Sequence, residues 1–215
     1  LRRAVRVFEN EYDLLLKPDV NTNRHTQWFY FEIKNMRANT PYTFNIINLL
    51  KSDSLYNQGM RPLMYSEMRA QDEQIGWRRC GHDILYYQNG ARNTASSSRR
   101  RGALFYTFTV TMTFPHDNDT VYLAMCYPYS YTDMRRYIRD LEDDPVRSKY
   151  VRRRPLCMTL AGNVCDLLTV TSYKRRRSGG SSSSSSSSEE VEEKNPGKRK
   201  RAVVITARVH PGESN

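Results

Sequence analysis

Between Leu104 and Phe114 the side chains alternate without a break: Leu104, Tyr106, Phe108, Val110, Met112 and Phe114 fall on one side, Phe105 and four threonines on the other. A period of two sustained over that length describes an extended strand with one buried face, because successive side chains of a strand point to opposite sides of its sheet. Such a strand needs partner strands beside it and a second layer over its apolar side. The partners are legible as shorter runs at Val5 to Phe8, Tyr12 to Lys17, Gln27 to Ile33, Pro41 to Leu49, Ile84 to Gln88 and Thr120 to Cys126, with Asn, Asp, Gly and Pro between them. Seven strands and no convincing helix predict an antiparallel β-sandwich over residues 1–128.

After Tyr127, Pro128 and Tyr129 the period changes. Ser130 is placed as an N-cap, Asp133 sits at the third helical position, and Met134, Tyr137, Ile138 and Leu141 recur on one face, with Arg135, Arg136, Arg139 and Asp140 on the other. Pro145 disfavours helical geometry in the residue before it, so the helix should stop at Asp143 and Asp144. Two apolar runs follow, Leu156 to Leu160 and Val164 to Thr171, flanking Gly162 and Asn163, a pair that tolerates the positive backbone angles of a tight turn. They predict a β-hairpin. From 173 to 200 the sequence gives way to KRRRSGG, a serine run from Ser181 to Ser188, EEVEE and KNPGKRK, which cannot bury enough apolar area to offset chain entropy. A disordered Ser-rich insertion is expected there. Ala202 to Val209, AVVITARV, reads as a strand buried on both faces.

A chain of 215 residues is long enough to fold without covalent staples. Its four cysteines, Cys80, Cys126, Cys157 and Cys165, lack C-x-x-C spacing, and no apolar run is long enough to cross a bilayer. Free thiols in a cytosolic chain are favoured over two disulfides in a secreted one. The net charge of +11 suits an anionic partner, acidic protein or nucleic acid, without choosing between them. Much of the excess lies in Arg99 to Arg101, Arg152 to Arg154, Lys174 to Arg177 and Lys198 to Arg201, each in or beside an expected loop and read as solvated.

The run at Ala202 leads directly into His210, Pro211, Gly212 and Glu213. Loops leaving the carboxyl ends of strands line the crevice of an open α/β sheet, so donors there face a site rather than a core. Imidazole nitrogen and carboxylate oxygen both bind Zn²⁺, and Pro and Gly between them let the chain turn both donors toward one ion. The spacing alone is common; the strand before it gives it a place.

RAVVITARVHPGESN resembles the first metal-binding segment of the cytosolic carboxypeptidases of the M14 zinc peptidase family, a strand followed by HPGE-(S/T)-N. GMRPLMYSE, IGWRRCGHDILYY, FPHDNDTVYLAMCYPYSYTDM and LCMTLAGNVCDLLTVTS are similar to that family's N-terminal domain and the opening of its peptidase domain, and HPGESN with YPYSYTD is most like the branch containing cytosolic carboxypeptidases 2 and 3. The resemblance implies two domains: a β-sandwich over 1–128, then the start of an α/β zinc carboxypeptidase domain over 129–215. It implies an enzyme that removes glutamates from the C-terminus or side chains of polyglutamylated proteins such as tubulin, in the cytosol, with microtubules, centrioles and cilia as places of action. It implies Zn²⁺, which would polarise the scissile carbonyl and activate water, with His210 and Glu213 as the first two ligands. The family's third ligand, a histidine, and its general-base glutamate lie downstream of this motif, so no catalytic residue is expected within the 215 residues, and this portion is expected to be inactive alone. Neither nucleic acid nor membrane is expected as a partner. The competing reading is a noncatalytic basic β-sandwich that docks acidic protein tails or nucleic acid.

Other candidates have plainer readings. His116, Asp117 and Asp119 sit between strand signals, where turn residues accumulate, and are expected to form a turn rather than a second metal cluster. His25 and His82 lack acids at useful spacing and are read as surface or structural residues. The serine run is read as a linker rather than a phosphorylation site. Trp28 and Trp77 are assigned to core packing rather than base stacking.

Overall fold

The central pair of strands is the one the alternation demands. In a computed structural model, which describes residues 1–22, 25–92, 104–173 and 200–207, eleven strands and two α-helices follow in chain order. They are β1 (Arg3–Phe8), β2 (Glu11–Leu15), β3 (Tyr30–Ile33), β4 (Pro41–Leu49), β5 (Leu63–Ser66), α1 (Glu67–Asp72), β6 (Arg78–Arg79), β7 (His82–Arg92), β8 (Leu104–Thr113), β9 (Val121–Ala124), α2 (Tyr131–Asp143), β10 (Val151–Met158) and β11 (Val164–Val170). Short 3₁₀ turns occupy Leu55–Gln58 and Arg147–Lys149.

β8 lies antiparallel between β4 and β7, with Tyr42 opposite Met112, Phe44 opposite Val110 and Ile46 opposite Phe108. These side chains are buried, as is Phe114 just beyond the strand. They meet Met64, Val121 and Leu123 from the other sheet, and Phe29, Met36 and Tyr56 from the connections, in one apolar core. Burying each large apolar side chain contributes about 1.5–3 kcal/mol, so this face is the main source of the sandwich's stability. The threonine face of β8 is bound by polar contacts instead. Thr109 Oγ1 donates to Asn45 Oδ1 at 2.8 Å, Thr107 Oγ1 accepts from Asn89 Nδ2 at 2.9 Å, and the Thr43 and Thr111 hydroxyls lie 3.2 Å apart.

Two sheets form the layers, β1-β2-β4-β8-β7 and β3-β9-β5-β6. The expectation of a wholly antiparallel sandwich is corrected at one place: β2 and β4 are parallel, Glu11 opposite Thr43 through Leu14 opposite Ile46. The chain between them leaves the first sheet, supplies β3 to the second and returns in the same sense, and a parallel pair needs a connection of that length. Helix is also present before residue 128. α1 is capped by Ser66, whose Oγ accepts from Arg69 N at 3.0 Å and also donates to the buried carboxylate of Asp119.

β5 and β6 are absent from the expected strands. Leu63 and Met64 are both buried, so β5 carries no alternation of exposure. Met64 faces the core, whereas Tyr65 faces away, opposite Tyr122 of β9. On that outer side Tyr65, Tyr122, Tyr30, Trp77 and Trp28 form a chain of ring contacts with centroids 5.5–6.3 Å apart. Trp28 and Trp77 are therefore half-buried members of an outer aromatic layer, not of the core between the sheets, because Tyr30 and Tyr65, the rings they touch, lie on the outward side of their strands. Gly81, at φ +89° just before β7, lies against β8; a Cβ there would come within 2.5 Å of Val110 Cγ2 in the core.

α2 begins and ends as its residues predict. Ser130 Oγ accepts from Asp133 N at 3.1 Å while Asp133 Oδ2 accepts from Ser130 N at 2.9 Å, closing a capping box. Ile138 and Leu141 are buried, but Tyr137 is exposed, so the apolar face is narrower than expected. β10 and β11 form the expected hairpin, closed by Thr159 N donating to Asn163 O at 2.8 Å, with Gly162 at φ +77°. The first strand starts earlier than predicted and takes in Arg152 to Arg154. That run is not a solvated loop, because Arg153 finds acceptors on both neighbouring elements: Nε donates to Glu142 Oε1 at 3.0 Å and Nη1 to Asp166 Oδ1 at 3.1 Å. Asn21 Nδ2 donates to Leu160 O at 2.6 Å, tying the hairpin tip to the loop after β2. The basic runs at Arg99 to Arg101 and Lys174 to Arg177, and the Ser-rich segment apart from Lys200 and the residue at 173, lie outside the described residues.

Candidate metal centre

The approach to the sequence motif is visible only up to Ala207. Lys200 Nζ donates to Thr171 Oγ1 at 2.8 Å and to Ser172 O at 2.6 Å, which fixes this segment to the end of β11. From Arg201 to Ala207 the backbone pairs with no strand, and Val203, Val204 and Ile205 are 85–88 % exposed. The expected doubly buried strand over Ala202 to Val209 is therefore not formed in its described part. A strand of this composition is buried only when flanked by partners on both edges and covered on both faces, and none of the described ladders reaches it. His210 and Glu213 lie outside the described residues.

The remaining histidines do not substitute for them. Asp117 Oδ1 accepts from Ala38 N at 2.8 Å, and Asp119 accepts from Met68 N at 3.1 Å in addition to the Ser66 hydroxyl. Asp117 thus holds the backbone of the loop before β4 and Asp119 that of the first turn of α1, and Asn118 between them is left-handed at φ 56°, as a turn requires. His116 Nε2 is buried without a hydrogen-bond partner. His82 is exposed, 3.7 Å from Asp83, and His25 is exposed with its carbonyl accepting from Asp19 N. Among the described residues no three His, Cys, Asp or Glu side chains come together as a metal would require. The described residues thus do not assemble a zinc site.

The structure gives three polar groups roles that the sequence did not assign to them. Asp166, its side chain 2 % exposed, takes Arg135 Nη1 at 2.9 Å on one oxygen and Arg153 on the other, locking α2 to the hairpin. Asp144 caps the turn after α2 by accepting from Val146 N at 2.8 Å, Arg147 N at 2.7 Å and Arg147 Nε at 2.8 Å. The Arg147 backbone and guanidinium bonds, with that from Val146, hold its carboxyl down to about 2. Cys80, whose thiol points at Pro62 O, is pushed up to about 12 by burial, so it is inert as a thiolate donor. All four cysteines are unpaired, and no helix among the described residues is long and apolar enough to cross a membrane.

The family model of the cytosolic carboxypeptidase N-terminal domain matches residues 3–126, the span that holds both sheets of the sandwich. Over all 215 residues the chain is 45% identical to cytosolic carboxypeptidase 2 of Xenopus tropicalis, of which it covers 20%. It is 42% identical to cytosolic carboxypeptidase 3 of Mus musculus, again over its whole length, covering 19% of that protein. The chain thus spans about a fifth of the length of these relatives. A solved structure described as a carboxypeptidase from Burkholderia mallei shares the fold, with a TM-score of 0.50 at 14% identity over 80% of this chain and 37% of that one. From the matched domain and the full-length similarity, the chain belongs to the cytosolic carboxypeptidase family.

Proposed function

We propose that this chain is part of a cytosolic zinc metallocarboxypeptidase that removes glutamates from the C-terminus or side chains of polyglutamylated proteins such as tubulin. His210 and Glu213 are two of its metal ligands. Residues 1–128 are the β-sandwich domain and 129–215 the opening of the peptidase domain. The observation that carries this reading is that similarity to the cytosolic carboxypeptidases runs over the whole chain, HPGESN included. The net charge of +11 supports an acidic substrate, since a basic surface raises the local concentration of glutamate-rich tails. His210 and Glu213 supply an imidazole nitrogen and a carboxylate oxygen, two of the three protein donors a catalytic zinc takes.

The test is made on the native protein that carries this chain. His210→Ala and Glu213→Ala are each expected to strip zinc and abolish glutamate release from polyglutamylated tubulin, with the sandwich still folded. Stoichiometric zinc and undiminished turnover in Glu213→Ala would overturn the metal assignment. Tight binding of glutamate tails by the native protein with no release of glutamate would favour a noncatalytic basic module instead.

A further inference from the structure

Two of the four cysteines stand directly opposite each other. Cys157 of β10 and Cys165 of β11 are register partners in the antiparallel ladder, immediately beyond the irregularity that follows Pro155. Directly opposed residues in such a ladder have Cα atoms about 4.5–5.5 Å apart, inside the roughly 4.4–6.8 Å that a disulfide spans. Both are reduced; Cys157 is exposed and Cys165 half-buried. The other two cysteines are differently placed. Cys126 is buried and its sulfur accepts from Trp28 Nε1 at 3.2 Å, while Cys80 is turned inward toward Pro62 O. A facing thiol pair with one member open to solvent is the arrangement that thiol–disulfide exchange uses, an attacking thiol and a resolving one.

We propose that Cys157 and Cys165 form a thiol-exchange site that takes a small-molecule disulfide, such as glutathione disulfide, and becomes a cross-strand disulfide in the β10–β11 hairpin. The Cys157 thiol loses its proton and attacks one sulfur of glutathione disulfide. That S–S bond breaks, and one glutathione leaves as a thiolate and takes up a proton. Cys165, deprotonated in turn, attacks the Cys157 sulfur of the mixed disulfide and expels the second glutathione. The protein pair loses two electrons and two protons, glutathione disulfide gains them as two thiols, and the sum balances. Cys165 is held above the usual thiol range by its partial burial and by Cys157 beside it, which suits it to the second, intramolecular step, where proximity replaces thiolate abundance. Oxidation would covalently fix the hairpin one residue from Asp166, the carboxylate that joins it to α2. This inference stands apart from the metal reading, since neither cysteine is in or beside that motif.

The experiment equilibrates the 215-residue chain with glutathione buffers of stepped reduced-to-oxidised ratio and traps thiols with a maleimide. No Lys or Arg lies between 157 and 165, so both cysteines travel on one tryptic peptide. That peptide is expected to carry two labels or none, with the unlabelled form rising as the buffer becomes more oxidising while Cys80 and Cys126 stay labelled after denaturation. Cys165→Ser is expected to accumulate a single glutathione on Cys157, and Cys157→Ser to gain its adduct at least tenfold more slowly. A peptide with one label and one glutathione as the main oxidised wild-type form would overturn the proposal. So would oxidation of Cys80 or Cys126 at the same ratio. The wild-type pattern decides the pairing even if a variant fails to fold.

Discussion

Arg135 of α2 reaches Asp166 of β11 through a 2.9 Å hydrogen bond to a carboxylate whose side chain is 2 % exposed. With Arg153 on the other oxygen, one buried anion holds a helix and a hairpin together.

Asp166→Ala should therefore free both elements together. It leaves two guanidiniums without their shared acceptor at a site they only partly expose, at a cost of about 1–3 kcal/mol. Amide hydrogen exchange at Ile138 and Leu141 should accelerate while exchange in β8 stays unchanged. Equal acceleration in both would show that the helix and hairpin are not the unit this carboxylate holds.

Gly81→Ala should destabilise the sandwich. Its φ of +89° strains any other residue, and the added methyl meets Val110 inside the core. Overpacking of this kind costs about 1–3 kcal/mol, visible as a lower urea midpoint with an unchanged slope. An unchanged midpoint would contradict the close approach.

Phe108→Ala should cost more. The ring is 1 % exposed, with Tyr56 stacked at 4.0 Å and Phe29 at 5.8 Å between centroids. Removing it opens a cavity that neither neighbour can fill without leaving its own partners, a loss of about 3–5 kcal/mol. Calorimetry of the purified chain should show it.

Asp144 predicts an acid limit for the turn after α2. Its carboxyl is depressed to about 2 by the Arg147 and Val146 bonds, against about 3.9 in an unfolded chain. A lowered folded value means the contribution is present above the unfolded value and is lost as pH falls from about 4 through about 2. Carboxyl NMR should place this titration at about 2, and Asp144→Asn should abolish the loss of amide protection at Arg147 that accompanies it.

If His210 and Glu213 act as the zinc donors proposed above, these 215 residues alone should release no glutamate from tubulin, because a catalytic zinc takes three protein donors and its water needs a base. Zinc-dependent release by the purified chain would show that its residues complete a site the motif alone does not.

Sequence reading succeeded where one residue decides one geometry. The unbroken alternation of β8 fixed a strand and its buried side, and Ser130 with Asp133 placed the start of α2. It failed where the outcome depends on what lies across a gap. Leu63 and Met64 look like no half-buried strand because Met64 meets the core while Leu63 lies under the outer layer. Period two at Trp28 and Trp77 cannot say which side of a sheet is covered. Arg152 to Arg154 looked solvated because Glu142 and Asp166 are remote in sequence from Arg153. His210 and Glu213 are an expectation drawn from the wording of the motif, and both lie outside the described residues.

The parallel register of β2 on β4 has a kinetic consequence. The residues between those strands include β3, whose partner β9 lies near the far end of the sandwich, so the two layers are interleaved along the chain. Together with the β4–β8 pairing, between segments far apart in the chain, this raises the entropy that must be lost before the main contacts form, and folding should be slow and concerted. A polypeptide cut anywhere between β3 and β8 would divide the strands of both layers at once, so the sandwich can be inherited, swapped or excised only whole.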